Sequence, residues 1–151
     1  MSDIADRKEE AELSKDEKVI KDLIEKIDLK QYITDDKIEV DMDLAPGFLT
    51  VRFRSQTGED VCETDNEILE NEISDKAVEF HYRVFRSLGS SVVSINGSDF
   101  MPGAGIPAKI SGLKKKPKHI LDKIFWGNSL FNEALRRVLS DADILESKSK
   151  N

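Results

Sequence analysis

The chain has 151 residues, a formal net charge of −7, 38% hydrophobic residues and 35% charged ones; this is long enough for one domain with a core, but it predicts a part left in solvent. No apolar run approaches the roughly 18 residues that span a bilayer, and the N-terminal stretch MSDIADRKEEAELSKDEK is acidic and lacks an apolar signal core. Cys62 is the only cysteine, which excludes an internal disulfide and points to a reducing cytoplasm.

Residues 1–13 carry no apolar stripe and read as a disordered acidic leader. Ser14 and Glu17 have the spacing of a capping box. Val19, Ile20, Leu23, Ile24 and Ile27 then recur at helical spacing, which predicts an amphipathic helix over about 14–29. Ile38, Val40, Met42 and Leu44 alternate with acids, and Leu49, Val51 and Phe53 alternate with Thr50, Arg52 and Arg54. With Ala45-Pro46-Gly47-Phe48 between them, these two runs predict a β-hairpin with one oily face and with acid facing arginine on the other. Two strands alone are barely stable in water, so that face requires a helix to cover it.

Thr64 and Glu67 suggest a second capping box, followed by apolar residues at steps of three or four from Ile68 to Ile95. The stretch SVVSING can be read as a strand entering an Asn-Gly turn or as the end of a helix. Phe85, Leu88, Val92 and Ile95 keep helical spacing, and no alternating run follows the turn. The helix reading is therefore preferred: one long central helix over about 65–95, kinked near Gly89 and ended by Asn96-Gly97. Residues 98–113 then form a Pro/Gly-containing loop. A third helix is expected from Pro117, broken at Gly127-Asn128 into a C-terminal helix pair, and a polar tail over 147–151. The expected fold class is α+β and helix-dominant, with a single domain over 14–146.

Charge is segregated. Residues 1–43 carry 15 acids and 8 bases; residues 59–79 carry nine acids and one lysine; residues 80–151 carry 12 Lys or Arg against six acids. Such a dipolar chain suits contact with proteins, itself included, better than dedicated nucleic-acid binding, which calls for a basic domain. Lys114, Lys115, Lys116 and Lys118 form a basic cluster that could contact phosphates or an acidic partner. Asp41 and Asp43 share a strand face as a metal-binding pair would, although pairing with Arg52 and Arg54 accounts for them equally. His81, His119 and Cys62 lack metal-ligand spacing, and Cys62 has acidic neighbours that oppose its thiolate. The sequence MPGAGIP matches neither a P-loop nor a dinucleotide fingerprint. No cofactor, metal or catalytic residue is therefore expected. The residues expected to bind a partner are Leu23, Ile24 and Ile27 of the first stripe and Phe125, Trp126, Leu130 and Phe131 of the densest apolar cluster.

The order of VRFRSQTGEDVCE, VFRSLGSSVVSING and ILDKIFWGNSLFNEAL over residues 48–140 resembles small tail-assembly proteins of tailed bacteriophages, namely tail assembly chaperones and baseplate-hub assembly proteins. Phe53, Arg54, Thr57, Gly58, Ser94, Ile95, Asn96 and Gly97 carry the likeness. It implies a non-enzymatic protein in the host cytoplasm that holds a tape-measure or hub protein until the tail polymerises. A structural virion or baseplate subunit, or a small nucleic-acid-binding regulator using Lys114 to Lys118, remain the alternatives. The acidic N-terminal helix and the KKKPK run lie outside the likeness.

Overall fold

The computed structural model describes residues 15–28, 30, 34, 37–100 and 105–149. The expected leader, the Ser14 cap, Met101–Ala104 of the Pro/Gly loop and the last two residues of the polar tail lie outside the described residues. The elements are helix α1 (15–26), strands β1 (Glu39–Ala45) and β2 (Leu49–Arg54), helices α2 (Gly58–Glu70) and α3 (Lys76–Ser91), strands β3 (Val92–Ile95) and β4 (Ser98–Asp99), and helices α4 (Ile106–Lys114) and α5 (Lys118–Ser149). The fold is α+β and helix-dominant, as the patterning predicts.

The expected hairpin forms, with Val40 opposite Phe53 and Met42 opposite Val51. Its alternate residues Ile38, Val40, Met42, Leu44, Leu49, Val51 and Phe53 are buried. On the other face Arg52 holds Asp41 through two hydrogen bonds of 2.9 and 3.2 Å. Arg54 does not pair back across the strands. It reaches forward to Asp60 at 3.0 and 3.2 Å and so fastens the end of β2 to the start of α2.

Helix α5 covers the oily face of the sheet. The rings of Phe53 and Phe131 stack 6.0 Å apart. Gly127 does not break the helix: a Cβ there would lie 2.4 Å from Leu44 Cδ2, so the glycine lets α5 approach β1. The expected helix pair is thus one helix of 32 residues running through Asn128 to Ser149, about 48 Å long. Its backbone continues through the first residues of the expected polar tail. Helix α1 adds Ile20 and Leu23 to the same core, and Ile27 just past its end joins them.

The long central helix is not there. Helix α2 starts seven residues before the expected cap, at a capping box made by Thr57 and Asp60. Thr64 lies inside it, where its hydroxyl donates to the Asp60 carbonyl. The helix stops at Asn71, and Glu72 follows at φ +54°. Asp75 then starts α3 by accepting from the amides of Ala77 and Val78.

SVVSING is a strand and a turn. The helix ends at Ser91 and the chain enters β3 at Val92 without a loop. Strand β3 pairs antiparallel with β2, and Asn96-Gly97, both at positive φ, turn into β4. The free edge of β2 decides this outcome. An unpaired row of amides and carbonyls beside a core needs a partner, and four residues rich in Val and Ile supply it. Ser91 pins the junction by donating to the Arg54 carbonyl and accepting from Asn128 at 2.7 Å. Asn96 clasps the β1–β2 turn: its side chain accepts from the Thr50 amide and donates to the Phe48 carbonyl.

The expected loop over 98–113 contains β4 and α4, the latter with Pro107 in its first turn. Gly89 is no kink. It sits inside α3, where a Cβ would meet Ile110 at 3.3 Å, and the missing side chain lets α4 pack closely.

Candidate docking surface on the α2–α3 hairpin

Both apolar clusters expected to meet a partner are internal. Leu23, Ile27, Leu130 and Phe131 are buried in the core, and Ile24, Phe125 and Trp126 pack against it half-buried. The physical reason is mutual cover, since each stripe lies over the core that the other helps to close. Phe125 meets Phe85 edge to face at 5.3 Å. The Trp126 indole donates to Asp16 at 3.1 Å, with the ammonium groups of Lys15 and Lys123 over its ring. Arg137 adds a bidentate bond to Glu17 that ties α1 to α5. Removing these residues from the core to serve a partner would open the fold: the structure places them in the core and at its rim.

Lys114, Lys115 and Lys118 are exposed around the α4–α5 turn, with Lys116 half-buried. Lys114 places its ammonium 4.9 Å from the Phe85 ring centroid, and Lys118 lies 3.9 Å from Asp122. Asp41 is taken by Arg52, whose hydrogen bond holds the carboxyl below its ordinary range against the opposing effect of burial. Among the described residues no group of three or more His, Cys, Asp or Glu is placed to hold a metal ion, and no helix is long and apolar enough to cross a membrane.

The exposed apolar surface lies elsewhere. Leu69 is 75% exposed, Phe80 70%, Val78 53% and Val61 51%, all on α2 and α3; among the described residues the other large exposed hydrophobic residue is Phe48 at the β1–β2 turn. Helix α2 buries only Thr64 and Ile68. The two helices are joined chiefly by ions. Arg83 reaches Asp65 at 2.7 Å and Glu79 at 3.1 Å. Arg86, only 1% exposed, holds Glu67 at 2.8 Å and Glu63 at 3.1 Å, and Tyr82 donates to the same Glu67. Burial first, and then that bond to Glu67, pushes the Tyr82 phenol above its ordinary pKa. Arg86 Nη1 is buried with no hydrogen-bond partner among the described residues, a defect that costs about 1–3 kcal/mol.

Val61, Asp65 and Leu69 are spaced at i, i+4 and i+8 and form one stripe of α2, while Phe80 and Arg83 are neighbours at i and i+3 on α3. The Asp65–Arg83 ion pair ties the α2 stripe to the α3 turn that carries Phe80. Phe80 is also the rim of an open groove of about 570 Å³ between α3 and α5, whose walls include Val84, Ser87, Phe125, Ser129 and Asn132. Arg136 and Glu133 line its far side. Hydrogen bonds from Arg136 and Arg137 hold the Glu133 carboxyl down at about 2.

Reasoning from sequence missed this surface because Ile68, Leu69, Ala77 and Phe80 fit a single stripe when the helix is read as continuous. The Asn-Glu-Ile-Ser-Asp run at 71–75 was the available signal: Asn can end a helix and Ser-Asp can begin one. Breaking the stripe there turns Leu69 and Phe80 outward. In comparisons with known proteins, the chain matches no family model, no curated protein and no solved structure.

Proposed function

We propose that this chain works by binding another protein and not by catalysis, as a factor in phage tail or baseplate assembly that holds a tape-measure or hub protein in the host cytoplasm. The observation that carries the protein-binding part is the α2–α3 hairpin, where four large apolar side chains stand in solvent on a scaffold fixed to the sheet by Arg54 and Ser91. An apolar face with a charged rim is what a docking surface requires. The phage part rests on the resemblance. The residues that carry it have folding roles in this chain: Phe53 fills the core, Arg54 and Thr57 start α2, and Asn96-Gly97 turn the sheet.

The test is a pull-down of the tagged chain from the cells that express it, with co-purifying proteins identified by mass spectrometry. A long helical tail or hub protein recovered by the wild type and lost from Leu69→Ser/Phe80→Ser is the expected result. Stable presence of the chain in purified particles would convert the transient role to that of a structural subunit.

A further inference from the structure

Resting on that protein-binding reading, we propose that the occupant of the hairpin face is a basic amphipathic helix of another protein. Its apolar stripe would lie along Val61, Leu69 and Phe80, and its cations would lie against the acidic rim.

Spacing supports a helix. Val61 and Leu69 are eight residues apart on α2, which is about 12 Å along the axis. Apolar side chains at i, i+4 and i+8 of an incoming helix cover that distance, a spacing that keeps one apolar face on a helix laid into an apolar groove. Phe80 extends the contact toward Val84 and Phe125 in the groove between α3 and α5.

Charge selects the sign of the partner. Residues 59–79 hold nine acids and only Lys76 as a base. Arg54, Arg83 and Arg86 pair with Asp60, Glu63, Asp65, Glu67 and Glu79. Glu59, Glu70 and Glu72 make no ion pair among the described residues, and Glu70 and Glu72 flank Leu69. An acidic or neutral helix docked here would meet repulsion or gain nothing from that rim, whereas a lysine-rich one is both steered and held. The same charge argues against a second copy docking hairpin to hairpin, since both faces are acidic. The chain's own lysine corner, Lys114 to Lys118, is a poor substitute partner because no large hydrophobic residue is strongly exposed beside it among the described residues.

The experiment uses the full chain and two fluorescein-labelled synthetic helices with the same leucine stripe, one with lysine and one with glutamate on the remaining positions. Anisotropy titrations should give at least about tenfold tighter binding for the lysine peptide, corresponding to the 1.4 kcal/mol per decade of affinity. Leu69→Ser/Phe80→Ser should weaken it by about tenfold or more, as loss of buried anchors does, with the unfolding midpoint unchanged. Glu70→Lys/Glu72→Lys should narrow or invert the preference between the peptides. Equal binding of the two peptides, or binding indifferent to Leu69 and Phe80, overturns the proposal and leaves protein binding as such standing. A pull-down that recovers no partner removes the protein-binding reading and this proposal with it.

Discussion

Helices α1 and α2 are of similar length and both amphipathic, α1 with balanced charge and α2 acidic, yet they end in opposite situations. Helix α1 buries Ile20 and Leu23, is followed by the buried Ile27 and is tied to α5 through Asp16 and Glu17. Helix α2 buries Thr64 and Ile68, leans on α3 through arginines and leaves Val61 and Leu69 in water. An apolar stripe declares that cover is needed; it does not say whether the chain itself or another molecule supplies it. Here the sheet side is complete and the hairpin side is not.

The largest expected break of that contrast is in the complete region. Phe131→Ala removes a fully buried ring stacked on Phe53 and should cost about 3–5 kcal/mol in urea unfolding. In the hairpin, Arg86 tests whether ions or packing hold α2 to α3. Arg86→Ala should lose about 3 kcal/mol, because it empties a buried site and strands the carboxylates of Glu63 and Glu67. Arg86→Met refills the site and removes the orphaned Nη1 but leaves Glu63 and Glu67 without their cation, so it should lose stability by less than Arg86→Ala. If both variants are equally damaged, the ion pairs and not the packing hold the hairpin.

Asn96→Ala probes the seam between β3 and the first hairpin. It deletes two side-chain hydrogen bonds at a position of positive φ, and about 1–2 kcal/mol is expected. Hydrogen exchange should quicken first at the Thr50 amide.

Acid probes the joint between the two regions. Burial alone would raise the Asp60 carboxyl, but hydrogen bonds from Arg54 and the Thr57 amide outweigh it and hold the pKa below 3.8. Because the folded value is the lower one, the stabilisation is present above about pH 3.8 and is lost as pH falls through the folded pKa. Glu133, held at about 2, follows the same sign between 4.5 and about 2. Asp60→Asn should therefore flatten the acid limb of stability against pH, read from urea midpoints between neutral pH and pH 3. The smallest effect sharpens the comparison most: Leu69→Ser/Phe80→Ser should change stability by no more than about 0.5 kcal/mol, as exposed sites do. A much larger loss would place these side chains in the core.

Much of the fold is legible in sequence because it is local. Residues 38–54 alternate with period two, so one face of the hairpin had to be buried and the acids of the first strand shared the other face with Arg52 and Arg54; the pairing of Asp41 with Arg52 is the structure's. The stripe from Ile20 to Ile27 needed only helical periodicity, and the acidic block at 59–79 is visible by counting. The rest depended on residues distant in the chain. Val92 and Ile95 keep helical spacing while Val92, Val93 and Ile95 suit a strand by residue type, and the open edge of β2, some 40 residues earlier, made the run a strand. Gly127 and Gly89 look like breaks until Leu44 and Ile110 show what approaches them. Which apolar stripes face inward was decided the same way. Leu23 and Phe131 found cover within the chain, while Leu69 and Phe80 did not. Periodicity records that a side chain is apolar on one face, but burial is a property of the surface that packs against it, and only the tertiary structure contains that surface.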